Sequence, residues 1–239
     1  VPSVAQAKAD AVPALALAAI VSIAFTYYYR IPVASARKGL FDDLRGKVDW
    51  KSNAMSGKRW GKLGEGSAME IILSAIQKRF CSGFEVEEGI AMNHALMENL
   101  FVCLVCVVNR IPFFLVGKPG SSKTLTLQVI QSNLQGKLSK APFWRTFPSV
   151  HLYQYQCSPM SSSQSIQHQF DMAKNYQATA QNVNTVLLLD EVGLAEHSPD
   201  MPLKVLHGML VDPPISIVGL SNWVLDPAKM NRAICLHRT

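Results

Sequence analysis

Short, largely apolar runs recur through the second half of the chain. They cover residues 113–116, 185–190 and 215–220, and each run ends at a polar or glycine-rich turn. Continuous apolar runs of this length are typical of central strands that are buried on both faces of a parallel sheet. A further segment, 151–157, alternates between polar and apolar residues and is also predicted to be a strand.

Longer segments with helical character lie before and between these strands. Helices are predicted at residues 34–44, 69–80, 87–109, 124–134, 161–180 and 225–232. Residues 52–67 are rich in glycine, serine and lysine and are predicted to be a loop. This order of elements predicts an α/β fold, a three-layer sandwich with a mainly parallel sheet, preceded by a helical N-terminal segment.

Residues 11–29 are nearly uncharged over a length that could cross a bilayer, and aromatic residues and Arg30 follow at one end. This pattern is compatible with a transmembrane helix. The alanine-rich composition, together with Pro13, Ser22 and Thr26, suits a helix buried in protein equally well. The residues alone leave both interpretations open.

The composition indicates a folded domain, because 49% of the 239 residues are hydrophobic and 17% are charged. The net charge is +6, but the basic residues are scattered, which favours a solvated basic face over a nucleic-acid site. The five cysteines are an odd number and favour reduced intracellular thiols. Cys103 and Cys106 lie in an apolar helical run and are interpreted as buried hydrophobic residues. Because the sequence begins with valine, we expect it to be a piece of a longer protein.

The first apolar run leads into Gly-Lys-Pro-Gly-Ser-Ser-Lys-Thr at residues 117–124, which follows the phosphate-binding pattern G-x-x-x-x-G-K-[ST] except at one position. The amides of such a loop and of the helix after it form a nest for anions. Lys123 could reach the outer phosphates of ATP, and the Thr124 hydroxyl could ligate Mg²⁺. The predicted nucleotide-binding residues are Gly117, Pro119, Gly120, Ser121, Ser122, Lys123 and Thr124.

Ser122 stands where the pattern has glycine. A side chain at this position could crowd the phosphates or demand strained backbone angles. A simple turn between a strand and a helix is the alternative interpretation of the loop.

Polar residues follow the other two apolar runs. Asp190 and Glu191 are predicted at the carboxyl end of a central parallel strand, where Asp190 would hold Mg²⁺ and Glu191 would act as general base on the attacking water. Asn222 follows the third run and could hold that water or the γ-phosphate, or could simply form a turn. Arg232 could reach the phosphate of a neighbouring subunit, or cap its own helix.

These motifs come in the order and approximate spacing of an AAA+ ATPase module. The segments AMNHALMEN, IPFFLVGKPGSSKT, QCSP, LLLDEVGLAEHSPDMPLKVLH and GLSNWVLDPAKMNR more narrowly resemble the AAA+ modules of mysterin-type proteins, which are giant RING-type E3 ubiquitin ligases. The resemblance covers roughly residues 88–238. In that family the Ser-Ser-Lys form of the loop is usual.

The resemblance implies Mg²⁺-dependent ATP hydrolysis that drives conformational change within a giant cytoplasmic ligase. Neighbouring AAA+ modules of the same chain and the ubiquitin machinery would be its partners, and no nucleic acid is expected. Asp190 would support the metal, Glu191 would be the hydrolytic base, Asn222 the sensor and Arg232, with Arg238 close by, the arginine finger.

The resemblance also implies a division of the chain. Residues 1–86 would be a helical segment, or the lid of a preceding module, with a linker, and residues 87–239 a large AAA+ subdomain that ends before its lid. The resemblance favours a buried helix over a membrane span at residues 11–29. A non-hydrolysing repeat that is structural or senses nucleotide, and a membrane-anchored ATPase, are the alternative functions.

Overall fold

The computed structural model describes residues 14–31, 36–37, 39–40 and 66–238. Of the helix predicted at residues 34–44, residues 36, 37, 39 and 40 are described and are helical, and the others lie outside the described residues. Of the loop predicted at 52–67, only residues 66 and 67 are described, and they begin a helix. The chain divides into two compact units, residues 1–80 and 81–239.

The first unit contains a helix within the apolar segment near the N-terminus. This helix, α1 (Ala14–Thr26), has 13 residues and is followed by a 3₁₀ turn, Tyr28–Arg30. Tyr29 is fully buried, and its hydroxyl accepts a hydrogen bond of 2.6 Å from Gln77 Nε2 of α2 (Gly66–Cys81). No helix in the described part of the chain combines the length and the apolar character that a membrane crossing requires.

The second unit alternates strands with helices. Its main elements are α3 (His94–Val108), β1 (Phe113–Gly117), α4 (Lys123–Asn133), β2 (Ser149–Gln156), α5 (Ser163–Thr179), β3 (Val183–Asp190), α6 (Leu206–Met209), β4 (Ser216–Ser221), α7 (Pro227–Met230) and β5 (Ile234–Arg238). Short 3₁₀ turns lie at Gly136–Leu138, Pro142–Thr146, Val192–His197 and Pro202–Val205.

The five strands form one sheet in the order β2-β3-β4-β1-β5, and every pair is parallel. Strands β1, β3 and β4 occupy the interior of the sheet, which explains why their sequences are almost continuously apolar. Because all strands run the same way, their carboxyl ends meet at one edge. The predicted parallel α/β core is confirmed.

Helices cover both faces of the sheet. On one face, side chains from alternate strand positions pack against α5 and the short helices after β3; they include Phe114, Val116, Leu187, Leu189, Ile217 and Cys235. On the other face lie α3 and α4, and there Ser216 Oγ donates a hydrogen bond of 2.7 Å to the carbonyl of Val107 in α3. The result is the predicted three-layer arrangement.

The long helix predicted at residues 87–109 starts seven residues later than expected. Asn93 ends the preceding segment in an extended conformation, and its side chain accepts a hydrogen bond of 2.9 Å from the Leu96 amide. This N-cap fixes the start of α3 at His94, although the apolar pattern continues upstream. Similarly, the helix predicted at 225–232 is a single turn, α7, capped by Asp226.

Strand β5 was not predicted. Its five residues, Ile-Cys-Leu-His-Arg, are too few and too mixed in polarity to stand out as a strand. These residues form a strand because they pair with β1 along the whole length of β5, from Ile234 beside Phe113 to Arg238 beside Gly117.

The five cysteines are all buried, and none of them forms a disulfide. Burial raises the pKa of Cys81 to about 12, because the apolar surroundings disfavour the thiolate. The pKa of Cys106 is raised for the same reason, with Cys103 as a further cause. Cys103 and Cys106 are fully buried in α3, as the sequence predicts.

Close packing of the sheet depends on Gly219 in β4. A Cβ atom at this position would lie 2.3 Å from the ring of Phe114, which is itself fully buried. We expect Gly219→Ala to lower the free energy of unfolding by about 1–3 kcal/mol through overpacking. Gly208→Ala in α6 is the matched control, since its Cβ meets nothing within 4 Å. Chemical denaturation of both variants measures the difference, and equal stability of the two would contradict the packing described.

Candidate functional site

Three neighbouring strands deliver the candidate residues to one edge of the sheet. Strand β1 ends at Gly117, β3 at Asp190 and β4 at Ser221, one residue before Asn222. Since β1 and β3 both pair with β4, the loop after β1 lies close to the acids after β3 and to Asn222. Crevices at the carboxyl ends of parallel strands are where α/β proteins bind ligands.

Lys123, the first residue of α4, points back into the loop. Its Nζ donates hydrogen bonds to the carbonyls of Gly117 at 2.6 Å and Lys118 at 3.0 Å, and to Asn222 Oδ1 at 2.9 Å. The ammonium group therefore ties the first residue of α4 to the start of the loop and also reaches Asn222, directly after β4. Lys118 takes part through its backbone, which no side-chain motif could reveal.

Ser122 adopts the left-handed backbone conformation, with φ 58° and ψ 27°. This is the conformation that glycine adopts without strain, which explains why the general pattern has glycine here. The carbonyl of Ser122 also accepts hydrogen bonds from the Thr126 amide at 3.1 Å and the Thr126 hydroxyl at 2.7 Å. The strained angles expected for Ser122 are present, and the first turn of α4 stabilises them.

The remaining loop residues are accessible from solvent. Pro119 and Gly120 are exposed at the tip of the loop, and Ser121 is half-buried. Thr124 is exposed in the first turn of α4, next to Lys123. The loop thus presents its backbone amides, the Lys123 ammonium group and the Thr124 hydroxyl at the N-terminus of an 11-residue helix.

Asp190 and Glu191 diverge at the end of β3. The Glu191 backbone is left-handed, with φ 54°, and its amide donates a hydrogen bond of 3.0 Å to Asp190 Oδ1. Asp190 Oδ2 lies 3.5 Å from the side-chain nitrogen of Gln154 in β2. Glu191 instead turns towards β4, where Asn222 Nδ2 donates to both of its carboxylate oxygens, at 3.1 and 3.0 Å.

Asn222 therefore bridges the lysine and the glutamate. Its amide oxygen accepts from Lys123 and its amide nitrogen donates to Glu191, so each end of the amide meets a group of matching polarity. The link joins the phosphate-binding motif to the acidic motif through one side chain. It brings Lys123, Asn222 and Glu191 into a single hydrogen-bonded chain.

Partial burial shifts the pKa of two charged groups here. Removal of water lowers the pKa of Lys123, and the negative charges of Glu191 and Asp190 partly oppose this change. Removal of water raises the pKa of Asp190; the hydrogen bond from the Glu191 amide opposes the shift and the Glu191 charge adds to it. Both ions are disfavoured by burial, as is common at functional sites.

Arg232 lies apart from this hydrogen-bonded chain. It is exposed, and its Nη1 donates to the carbonyl of Ala228, four residues earlier, at 3.2 Å. Within this chain Arg232 thus caps its own short helix, one of the two roles predicted for it. Its role as an arginine finger stays a prediction.

The chain was compared with known protein families. Residues 89–239 match the family model described as the RNF213 AAA domain. The chain belongs to this family. The match agrees with the resemblance to mysterin-type AAA+ modules that the sequence motifs indicated, and confirms it.

Two relatives and one solved structure illustrate the similarity. The human E3 ubiquitin-protein ligase RNF213 is 43% identical over 178 residues, which are 70% of this chain and 3% of that protein. A putative uncharacterized transmembrane protein of Dictyostelium discoideum is 30% identical over 234 residues, 92% of this chain and 4% of that protein. The structure of C. elegans PCH-2 is 17% identical with a TM-score of 0.43, covering 62% of this chain and 43% of that one.

The left-handed backbone conformation of Ser122 in this RNF213-type AAA domain predicts how substitutions there change stability. Ser122→Gly should change the free energy of unfolding by no more than about 1 kcal/mol, because glycine relieves strain but gains disorder in the unfolded chain. Ser122→Val should destabilise by about 2 kcal/mol, because a β-branched side chain fits the left-handed conformation poorly. Thermal denaturation compares them; a stable valine variant would contradict the assigned backbone.

The raised pKa of Asp190 predicts a stabilising mutation. An ionised Asp190 lowers stability at neutral pH, because its folded-state pKa lies above the ordinary value of 3.8. Asp190→Asn should therefore raise the melting temperature at pH 7 without nucleotide or metal. The gain should shrink as the pH falls through the raised pKa and towards 3.8, where aspartate is protonated in both states. A melting temperature lower than wild type at pH 7 would contradict this sign.

Proposed function

We propose that this AAA module binds ATP with Mg²⁺ and hydrolyses it. The observation that carries the proposal is the hydrogen-bonded chain from Lys123 through Asn222 to Glu191 beside the phosphate-loop motif. If these segments were only strands followed by turns, nothing would require a hydrogen-bonded link between a lysine, an amide and a carboxylate at three strand ends. Such a linkage supports a site for phosphate transfer to water.

The loop would hold the phosphates of ATP. The amides at the start of α4 favour negative charge, and Lys123 would exchange the carbonyls of Gly117 and Lys118 for phosphate oxygens. Burial lowers the pKa of Lys123, because the ammonium group has lost part of its hydration. The negative charge of a polyphosphate would offset this loss. Gly120 and Ser121 would contribute backbone amides to the same nest.

Thr124 and Asp190 fit Mg²⁺ by their chemistry, since an exposed hydroxyl and a half-buried carboxylate are hard oxygen ligands. A metal held by these residues would supply positive charge to offset the charge of the phosphates. That charge would also favour the ionised form of Asp190, whose pKa is raised by burial.

Glu191 would act as the general base. When phosphate engages Lys123 and Asn222, the Asn222 amide no longer needs to hold both carboxylate oxygens, and Glu191 can accept a proton from a water molecule. Asn222 would then orient that water or the γ-phosphate. Arg232 would serve a neighbouring module as its arginine finger, which its exposure permits.

The relatives suggest the setting of this activity. The matched residues make up only 3% of the human ligase, and we extend the proposal from this module to the whole protein. We place the module in a giant cytoplasmic E3 ubiquitin ligase, next to further AAA+ modules, where hydrolysis would drive conformational change. Five buried cysteines without a disulfide among them support a reducing compartment. Residues 1–86 would be the helical segment and linker before the module.

A module that binds ATP without hydrolysing it is the second candidate. The observation favouring it is that Asn222 engages both oxygens of Glu191, so the base is occupied in this arrangement. The two candidates differ in whether Glu191 is released once phosphate is bound.

Two substitutions in the full chain separate these functions. Lys123→Ala should weaken ATP binding about 10- to 100-fold, through loss of a charge-assisted hydrogen bond. Glu191→Gln should retain binding and lose hydrolysis about 10²- to 10⁴-fold, through loss of the base. Titration calorimetry and phosphate release provide the two readouts.

Each function predicts a distinct pattern. Binding without wild-type phosphate release would indicate the non-hydrolysing module. Unchanged binding in Lys123→Ala would contradict the proposed site altogether. Lys140→Ala is the control, because Lys140 pairs with Glu85 through an exposed salt bridge of 3.3 Å and does not contact the loop.

A further inference from the structure

Strand β5 ends at Arg238, whose side chain forms hydrogen bonds with α3. Arg238 Nε donates to Asn99 Oδ1 at 2.6 Å, its Nη2 donates to the Ala95 carbonyl at 3.1 Å, and its Nη1 pairs with Glu98. Three donors of one guanidinium thus reach three acceptors in one turn of helix. This geometry fixes the position of the guanidinium more tightly than a single ion pair would.

The partners of Arg238 are buried. Asn99 is fully buried, and the side chains of Glu98 and Arg238 are 5% and 14% exposed. A buried ion pair contributes little net stability by itself, but removing one member leaves an uncompensated charge. Net stabilisation alone therefore does not account for these buried polar groups.

Two sets of contacts connect Arg238 with the phosphate loop. Asn99 Nδ2 donates a hydrogen bond of 3.2 Å to the carbonyl of Ser121, inside the loop. In the sheet, Arg238 pairs directly with Gly117, the first loop residue, and a Cβ atom on Gly117 would lie 2.6 Å from Arg238 Cβ. One arginine therefore adjoins the start of the loop and, through Asn99, holds the segment before Lys123.

We propose that Arg238, Glu98 and Asn99 form a buried clamp that positions the phosphate loop for nucleotide. Arg238 is then a positioning residue that acts through Asn99, and its guanidinium is not available as an arginine finger. Glu98 neutralises and orients Arg238, and Asn99 transmits that orientation to the Ser121 carbonyl. The consequence for ATP affinity rests on the proposed function, whereas the consequence for loop order does not.

Two substitutions test the clamp in the full chain. Arg238→Gln removes the three-point contact. Asn99→Asp keeps the acceptor for Arg238 but replaces the donor to the Ser121 carbonyl with a carboxylate oxygen, which repels it. Each should raise the dissociation constant for Mg²⁺ with a non-hydrolysable ATP analogue about three- to tenfold. Each should also speed amide hydrogen exchange in residues 117–122 of the nucleotide-free protein, with no change in β2.

A double variant separates positioning from stability. In Glu98→Gln/Arg238→Gln neither buried charge remains, so the melting temperature should recover relative to Arg238→Gln alone. The directional hold on Asn99 stays lost, so affinity and loop exchange should remain changed. Recovery of wild-type affinity and loop exchange in the double variant would overturn the clamp.

Lys229→Gln breaks another largely buried ion pair, with Glu196 at 2.9 Å, and should leave loop exchange and nucleotide affinity unchanged. If wild type binds no nucleotide but Arg238→Gln still loosens the loop, the clamp stands and the proposed function fails. If neither Arg238→Gln nor Asn99→Asp alters loop exchange, the clamp is wrong.

Discussion

The site depends on how a partly dehydrated ammonium group is satisfied. Lys123 has lost part of its hydration, and it meets this loss with two loop carbonyls and the amide oxygen of Asn222. The side-chain amide of Asn222 also donates to Glu191. The hydrogen bonds of Lys123 therefore connect the loop, the end of β4 and the acid after β3. The parallel sheet makes this possible, because it brings three strand ends to one edge.

Much of this arrangement could be predicted because strongly apolar runs mark central strands and polar residues directly after them mark their ends. This pattern predicts Asp190 at the carboxyl end of a central parallel strand and Asn222 after another strand, and the sheet brings both to the same edge as Gly117. The start of α3 could not be predicted from periodicity, since a local hydrogen bond at Asn93 overrides an apolar pattern that continues upstream. Strand β5 could not be predicted either, because its pairing with β1 and not its own sequence makes it a strand.

Sequence reasoning missed two kinds of contact, each for its own physical reason. Asn99 and Arg238 lie 139 residues apart, and their hydrogen bond exists only because β5 returns beside β1. The Lys118 carbonyl binds Lys123 through the backbone, which carries no sequence signal. Ser122 is the reverse case, since its departure from glycine was visible and its left-handed backbone explains why the departure matters.

The central claim is that phosphate replaces the partners of Lys123 and thereby frees Glu191. A structure of the full chain with Mg²⁺ and a non-hydrolysable ATP analogue tests it most directly. We expect the triphosphate at the N-terminus of α4, with Lys123 Nζ moved from the Gly117 and Lys118 carbonyls onto phosphate oxygens and Glu191 released from at least one hydrogen bond to Asn222. A bound nucleotide that leaves Lys123 on those carbonyls, or that lies away from α4, would contradict it.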